Sequence, residues 1–173
     1  NRIPKSFIYL GRLTEGKGLK EVLNIFSKDK SLTLTIIGEG EKEDLVNKYS
    51  KEFININFHK FITDKNMLSE IILEHEFVVL NSKKTKKWEE LFGMILIEGM
   101  AHSLIPVASK HAGPKEIISQ EVGYLFDEGK IEDCLSKIIS EYPACKDKSK
   151  RAKEEAVKYY PNQIADKWKP ILE

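Results

Sequence analysis

Short apolar runs punctuate this chain, and each is followed by a more polar stretch. Phe7-Ile8-Tyr9-Leu10 and Phe77-Val78-Val79-Leu80 are too short for buried helices and lack alternating polar positions. A strand with no polar face must be covered on both sides, which is the condition of a parallel sheet between two helical layers. The same signal marks Leu32 to Ile37, rich in β-branched residues, and Gly123 to Phe126; residues 54–61 alternate in the manner of a strand. Ile105-Pro106-Val107-Ala108 is a further short strand, which the proline places at its start.

Between these runs, Leu19, Val22, Leu23 and Phe26 fall at helical spacing within residues 18–29. Residues 41–53 and 67–73 read as helices, 93–102 as a buried helix and 115–119 as one helical turn. Helices over 131–142, 146–160 and 162–172 close the chain, the last two parted by Pro161. The expectation is an α/β fold: a Rossmann-like three-layer sandwich around a roughly six-stranded parallel sheet. Ligands of such sheets bind at the carboxyl ends of the strands, where Gly11, Gly38 and the loop after Leu80 fall.

With 173 residues, 41% of them apolar and 32% charged, the chain has the composition of one soluble globular domain, 1–173. A net charge of +1 gives no global field for nucleic acid or an anionic membrane. Cys134 and Cys145 match no metal spacing and form no disulfide framework, so a reducing, cytoplasmic setting is expected. His59, His75, His102 and His111 show no metal-type pairing and read as structural or surface residues. No apolar run approaches the roughly 18 residues that cross a bilayer. The chain opens at Asn1 with Pro4 just ahead of the first run, as a cut at an interdomain linker would leave it.

Two constellations carry chemistry. Gly11-Arg12-Leu13-Thr14-Glu15-Gly16-Lys17-Gly18 joins the first strand to the first helix. Its glycines allow close backbone approach, and Arg12 and Lys17 place two cations beside a helix N-terminus, a pocket for a diphosphate. A glycine-rich turn with two solvated bases accounts for it equally well. It is neither the dinucleotide fingerprint nor a Walker A loop. The second is Glu90-Leu91-Phe92-Gly93-Met94-Ile95-Leu96-Ile97-Glu98, two carboxylates separated by seven residues. Glu98 lies inside the apolar run Met94 to Met100, where burial would cost energy unless it is partnered. Sugar and ribose hydroxyls can donate to such a carboxylate, and amides near Gly93 can meet a phosphate.

On these residues the chain resembles the C-terminal domain of family 4 glycosyltransferases, one half of the two-domain GT-B fold. The likeness lies in a strand ending in Gly-Arg with a later Lys-Gly, in Gly38-Glu39-Gly40 closing the second strand, and in "EELFGMILIEGMAHSLIPVAS", "HAGPKEII" and "GYLF". It runs from about Phe7 to Phe126. The resemblance implies that Arg12 and Lys17 bind the diphosphate and stabilise the charge growing on the leaving group. It implies that Glu90, with amides near Phe92 and Gly93, holds the donor sugar. Glu98 would accept from the ribose, and the amides of Met94 and Ile95 would meet a phosphate. Gly11, Gly38 and Gly40 belong to the donor site, the last two leaving room for the nucleoside, and the backbone near Phe61 and Ile62 would touch the base. Lys60, His102-Ser103 and Ala112-Gly113 depart from the family pattern, and the loop "NSKKTKKWEELFG" is longer and more basic than usual.

The activity so implied is retaining transfer from a nucleoside-diphosphate sugar to a glycan, lipid or other acceptor, without metal or other cofactor. An N-terminal domain would hold the acceptor, leaving residues 1–173 to bind donor with negligible transfer. The full-length enzyme would be cytoplasmic, with peripheral association at the inner face of the membrane a further expectation. Nucleic acid is not an expected partner. A sugar-nucleotide epimerase and a catalytically silent scaffold for a partner transferase are the alternatives. Lys83, Lys84, Lys86 and Lys87 read as a solvated loop, and Trp88 as a wall or lid of the sugar pocket. Ile164, Trp168, Ile171 and Leu172 form one face of the 162–173 helix, which would pack on the other domain.

Overall fold

The computed structural model describes residues 2–86 and 88–160. Lys87 and the anticipated 162–173 helix with its apolar face lie outside the described residues. Six strands are present: β1 (Ser6–Leu10), β2 (Thr33–Ile37), β3 (Ile56–His59), β4 (Phe77–Leu80), β5 (Ile105–Ser109) and β6 (Tyr124–Phe126). They form one parallel sheet in the order β3-β2-β1-β4-β5-β6. The helices are α1 (Leu19–Lys28), α2 (Glu43–Glu52), α3 (Lys65–Leu73), α4 (Met94–Ala101), α5 (Ala112–Ile117), α6 (Ile131–Glu141) and α7 (Lys148–Ala156).

The apolar strands have the cause read from the sequence. Phe7 and Tyr9 of β1, with Phe77 and Val79 of β4, enter one core; Ile8, Leu10, Val78 and Leu80 enter the other. Residues from α1, α2 and α6 cover the first face, and residues from α3, α4, α5 and α7 cover the second. Phe7 anchors the first core, stacked on Phe77 at 4.6 Å and edge-on to Phe26 at 5.2 Å. Burying each such ring is worth about 2–3 kcal/mol. At the sheet edge only Ile56 of β3 is fully buried, while Asn57 and His59 face solvent, hence the alternation there.

Some boundaries differ from expectation. β5 starts at Ile105 as read but runs on to Ser109, with Pro106 its second residue. α5 begins at Ala112, earlier than the turn expected at 115–119, because Pro114 sits in a first turn whose amides need no intrahelical acceptor. The stretch 146–160 is not one helix: short 3-10 turns at Ala144–Asp147 and Val157–Tyr159 flank α7.

Strand order reverses between β1 and β4, since β2 lies on one side of β1 and β5 on the far side of β4. The connections leaving these two strands lead to α1 and α4 on opposite faces, which opens a crevice at their carboxyl ends. Both constellations lie on those connections.

Candidate functional site

The loop after β1 is shaped by backbone contacts to its neighbours. The Gly11 amide donates to the Ile37 carbonyl at 3.0 Å and the Leu13 amide to the Glu39 carbonyl at 2.8 Å. Leu13 is fully buried, and the Tyr9 hydroxyl donates to the Arg12 carbonyl at 2.8 Å. Burial pushes the Tyr9 phenol up, so it stays a donor. Arg12 is thereby turned outward at the carboxyl edge with an exposed side chain.

Across the crevice the loop after β4 locks onto the same segment. The Asn81 side-chain amide donates to the Gly18 carbonyl at 3.1 Å, and the Lys83 amide to the Gly16 carbonyl at 2.7 Å. Gly18 has φ 59, and a Cβ there would stand 2.4 Å from the Asn81 carbonyl oxygen. Glycine is therefore required twice over, by the left-handed backbone and by the contact.

The two constellations meet at Lys17 and Glu90. Lys17 Nζ lies 2.5 Å from Glu90 Oε2, and the Ser82 hydroxyl donates to the same oxygen at 2.9 Å. Burial opposes ionisation of Glu90. The bond and charge of Lys17, with Ser82 and the Gly93 amide, outweigh it and hold the carboxyl below the usual range. Lys17 also stands 4.8 Å from the Trp88 ring centroid. Arg12, Thr14, Gly16, Lys17, Thr85 and Trp88 line one cavity of about 220 Å³. Trp88 is thus a wall of the site.

A buried polar chain supports Glu90 from behind. His111 Nε2 donates to the Ser82 carbonyl at 2.7 Å, and the Ser109 hydroxyl donates to it at 2.7 Å. The Gly113 amide donates to the Glu90 carbonyl at 3.2 Å, and a Cβ on Gly113 would stand 2.5 Å from the Phe92 nitrogen. Ser82 was not singled out in the sequence, although a polar residue just past an apolar strand end was the available signal. His111 is structural, as expected, but its bond goes to a residue holding Glu90. In the basic loop Lys84 and Lys86 are exposed and Lys83 is half-buried; Lys84 pairs with Glu89 at 2.6 Å and Lys83 with Glu21 at 3.4 Å.

Gly93 caps α4 with φ 72, and the amides of Met94 and Ile95 fall in the first turn, without intrahelical acceptors. Phe92 and Met94 are exposed at 71% and 65%, beside Glu90 at the mouth of the crevice. Glu98 corrects an expectation. It is not buried in the apolar run but lies on the exposed side of α4, while Leu96, Gly99 and Met100 face the core. Its carboxylate has no hydrogen-bond or ion-pair partner among the described residues. Phe61 is exposed and Ile62 half-buried in the loop after β3, two strands away from β1. A Cβ at Gly38 or Gly40 would meet the backbone of Gly11 or Leu13, so both glycines let the loop after β1 pack against the end of β2. Among the described residues no His, Cys, Asp or Glu side chains cluster as a metal ion would require, and no helix is long and apolar enough to cross a membrane.

The chain is similar to known proteins along most of its length. It is 27% identical over 161 residues to the sulfoquinovosyl transferase SQD2 of Arabidopsis thaliana, covering 88% of this chain and 30% of that protein. The pneumococcal O-GlcNAc transferase GtfA, solved with UDP and GlcNAc, superposes with a TM-score of 0.75 at 23% identity, over 98% of this chain and 35% of that one. The C-terminal domain of the group 1 family glycosyl transferase LpcC of Francisella tularensis gives a TM-score of 0.73 at 24% identity, over 92% of this chain and 88% of that domain. The chain thus spans about a third of the length of the larger relatives. The family of glycosyl transferases group 1 matches residues 2–159, and with the doubly wound sheet and both loops in place, the chain belongs to that family.

Proposed function

We propose that this domain binds a nucleoside-diphosphate sugar for transfer with retention at the anomeric carbon, as in family 4 enzymes of the GT-B type. The observation carrying the reading is the Lys17–Glu90 pair at 2.5 Å, which joins a cation of one loop to a carboxylate of the other at the strand-order reversal. Arg12 and Lys17 hold the diphosphate and offset the charge that develops as the sugar leaves, a term fixed cations supply without reorganisation. Glu90 receives hydroxyls of the sugar, and the α4 amides of Met94 and Ile95 receive phosphate oxygens. Glu98 takes the ribose, and the exposed loop at Phe61 and Ile62 meets the base. These cations do the electrostatic work without a metal ion. The acceptor, a glycan or lipid-linked molecule, belongs to a further domain, so the 173-residue chain binds donor but transfers negligibly.

Calorimetric titration with UDP, GDP and ADP and their glucose adducts tests the reading. UDP comes first, because the GtfA structure holds it. Saturable heat with one base series is expected; no heat with any of the six ligands sinks it.

A further inference from the structure

The two cations of the first loop are not equivalent. Arg12 is exposed and has no ion-pair partner among the described residues. Lys17 is held by Glu90, with side-chain exposures of only 16% and 12%. Glu90 has no other cation among the described residues; its remaining bonds come from Ser82 and the Gly93 amide. A phosphate that recruits Lys17 therefore meets a carboxylate already in place. If Lys17 turns to the phosphate, Glu90 is left half-buried without a counter-charge, which is costly.

A sugar on the terminal phosphate changes the outcome. Its hydroxyls can donate to Glu90 and replace the bond that Lys17 gave up. A bare nucleoside diphosphate brings the competing charge and no such donor. On the donor-site reading above, we infer that Glu90 is a specificity-determining residue: by holding Lys17 it selects the intact nucleoside-diphosphate sugar over the free nucleoside diphosphate that transfer leaves behind. The spent nucleotide then leaves a site that reforms its own ion pair.

The test is calorimetry on the 173-residue chain with inorganic pyrophosphate and with whichever of UDP, GDP or ADP binds, beside its glucose adduct. Glu90→Gln should tighten pyrophosphate and the free nucleotide by about five- to tenfold, and should reduce the preference for the glucose adduct by at least that factor. In a Lys17→Met background the same change should gain less than about twofold, because there is no lysine left to release. Glu90→Asp draws the charge back from Lys17, should shift affinities the same way by less, and serves if the glutamine variant does not fold. The inference is overturned if folded Glu90→Gln binds free nucleotide no better than wild type, or if its gain is undiminished with Lys17→Met. Nucleotide binding by wild type alongside either result removes only the selectivity; no nucleotide binding at all removes the donor-site reading with it.

Discussion

Gly38 has no room for a side chain, because the carbonyl oxygen of Gly11 stands 1.9 Å from where its Cβ would lie. The ends of β1 and β2 are clamped backbone to backbone at this point. Gly40 is caught in the same way, its absent Cβ 2.7 Å from the Leu13 carbonyl oxygen. Together these two glycines set the path of Gly11 to Leu13, and through it the position of Arg12.

Gly38→Ala should therefore cost about 3 kcal/mol, since the obstructing atom is backbone and cannot rotate aside. Gly129→Ala is the contrast: φ is +78 but nothing lies within 4 Å. It should cost only the strain of a left-handed residue, about 1 kcal/mol. Urea unfolding of both variants checks the difference, and equal losses would contradict the clamp.

His75 gives the fold a pH dependence in the mild acid range. It is buried, with Nδ1 donating to the Ile71 carbonyl at 2.7 Å and Nε2 accepting from the Thr35 hydroxyl at 2.8 Å. Burial, opposed in part by the Ile71 bond and the charge of Glu74, holds its pKa below the ordinary 6.5. The unfolded chain thus takes up a proton at a higher pH than the folded one. The stability this residue contributes is full above 6.5 and falls as pH drops from there through the folded pKa. Urea midpoints measured from pH 7.5 to 5 should decline more steeply for wild type than for His75→Gln, and parallel curves would refute the assignment.

Much of this was legible in the sequence, for physical reasons. A strand such as Phe77–Leu80 has to be apolar on both faces in a covered sheet, so composition alone placed it. Arg12 and Lys17 are bases set among glycines, a pattern that a solvated turn explains equally well, and the roles of these two and of Glu90 come from the family resemblance. Glu98 was misjudged because an eight-residue helix packs only part of its circumference, and linear apolarity does not say which residues point outward. Ser82 and His111 were not legible as supports for Glu90. The Ser82–Glu90 contact depends on how the loop after β4 folds back on itself, and the His111–Ser82 bond, 29 residues apart, forms only once β4 and β5 lie side by side.

That support makes a prediction. His111→Ala removes one of two donors to the Ser82 carbonyl and leaves a hole beside it, which should cost about 2–3 kcal/mol. Because the Ser82 hydroxyl holds Glu90, affinity for a glucose-linked nucleotide should fall as well. His111→Gln keeps a donor and should recover a good part of both losses. Recovery of stability without any recovery of affinity would show that His111 supports the fold but not the site.

Arg12 and Glu98 separate stability from binding. Both side chains are exposed, and neither is ion-paired among the described residues. Arg12→Ala and Glu98→Gln should therefore change unfolding free energy by no more than about 0.5 kcal/mol. Their binding defects should differ in kind. Without Arg12, pyrophosphate and nucleoside diphosphate should both weaken by about tenfold or more, while the nucleoside alone is little affected. Without the Glu98 carboxylate, pyrophosphate should bind as in wild type, and the preference for UDP over 2′-deoxy-UDP should shrink by about tenfold, the worth of a hydrogen bond to a charged group. If Glu98→Gln instead weakens pyrophosphate as much as UDP, the carboxylate is not reading the ribose, and α4 contributes to the site only through the amides of its first turn.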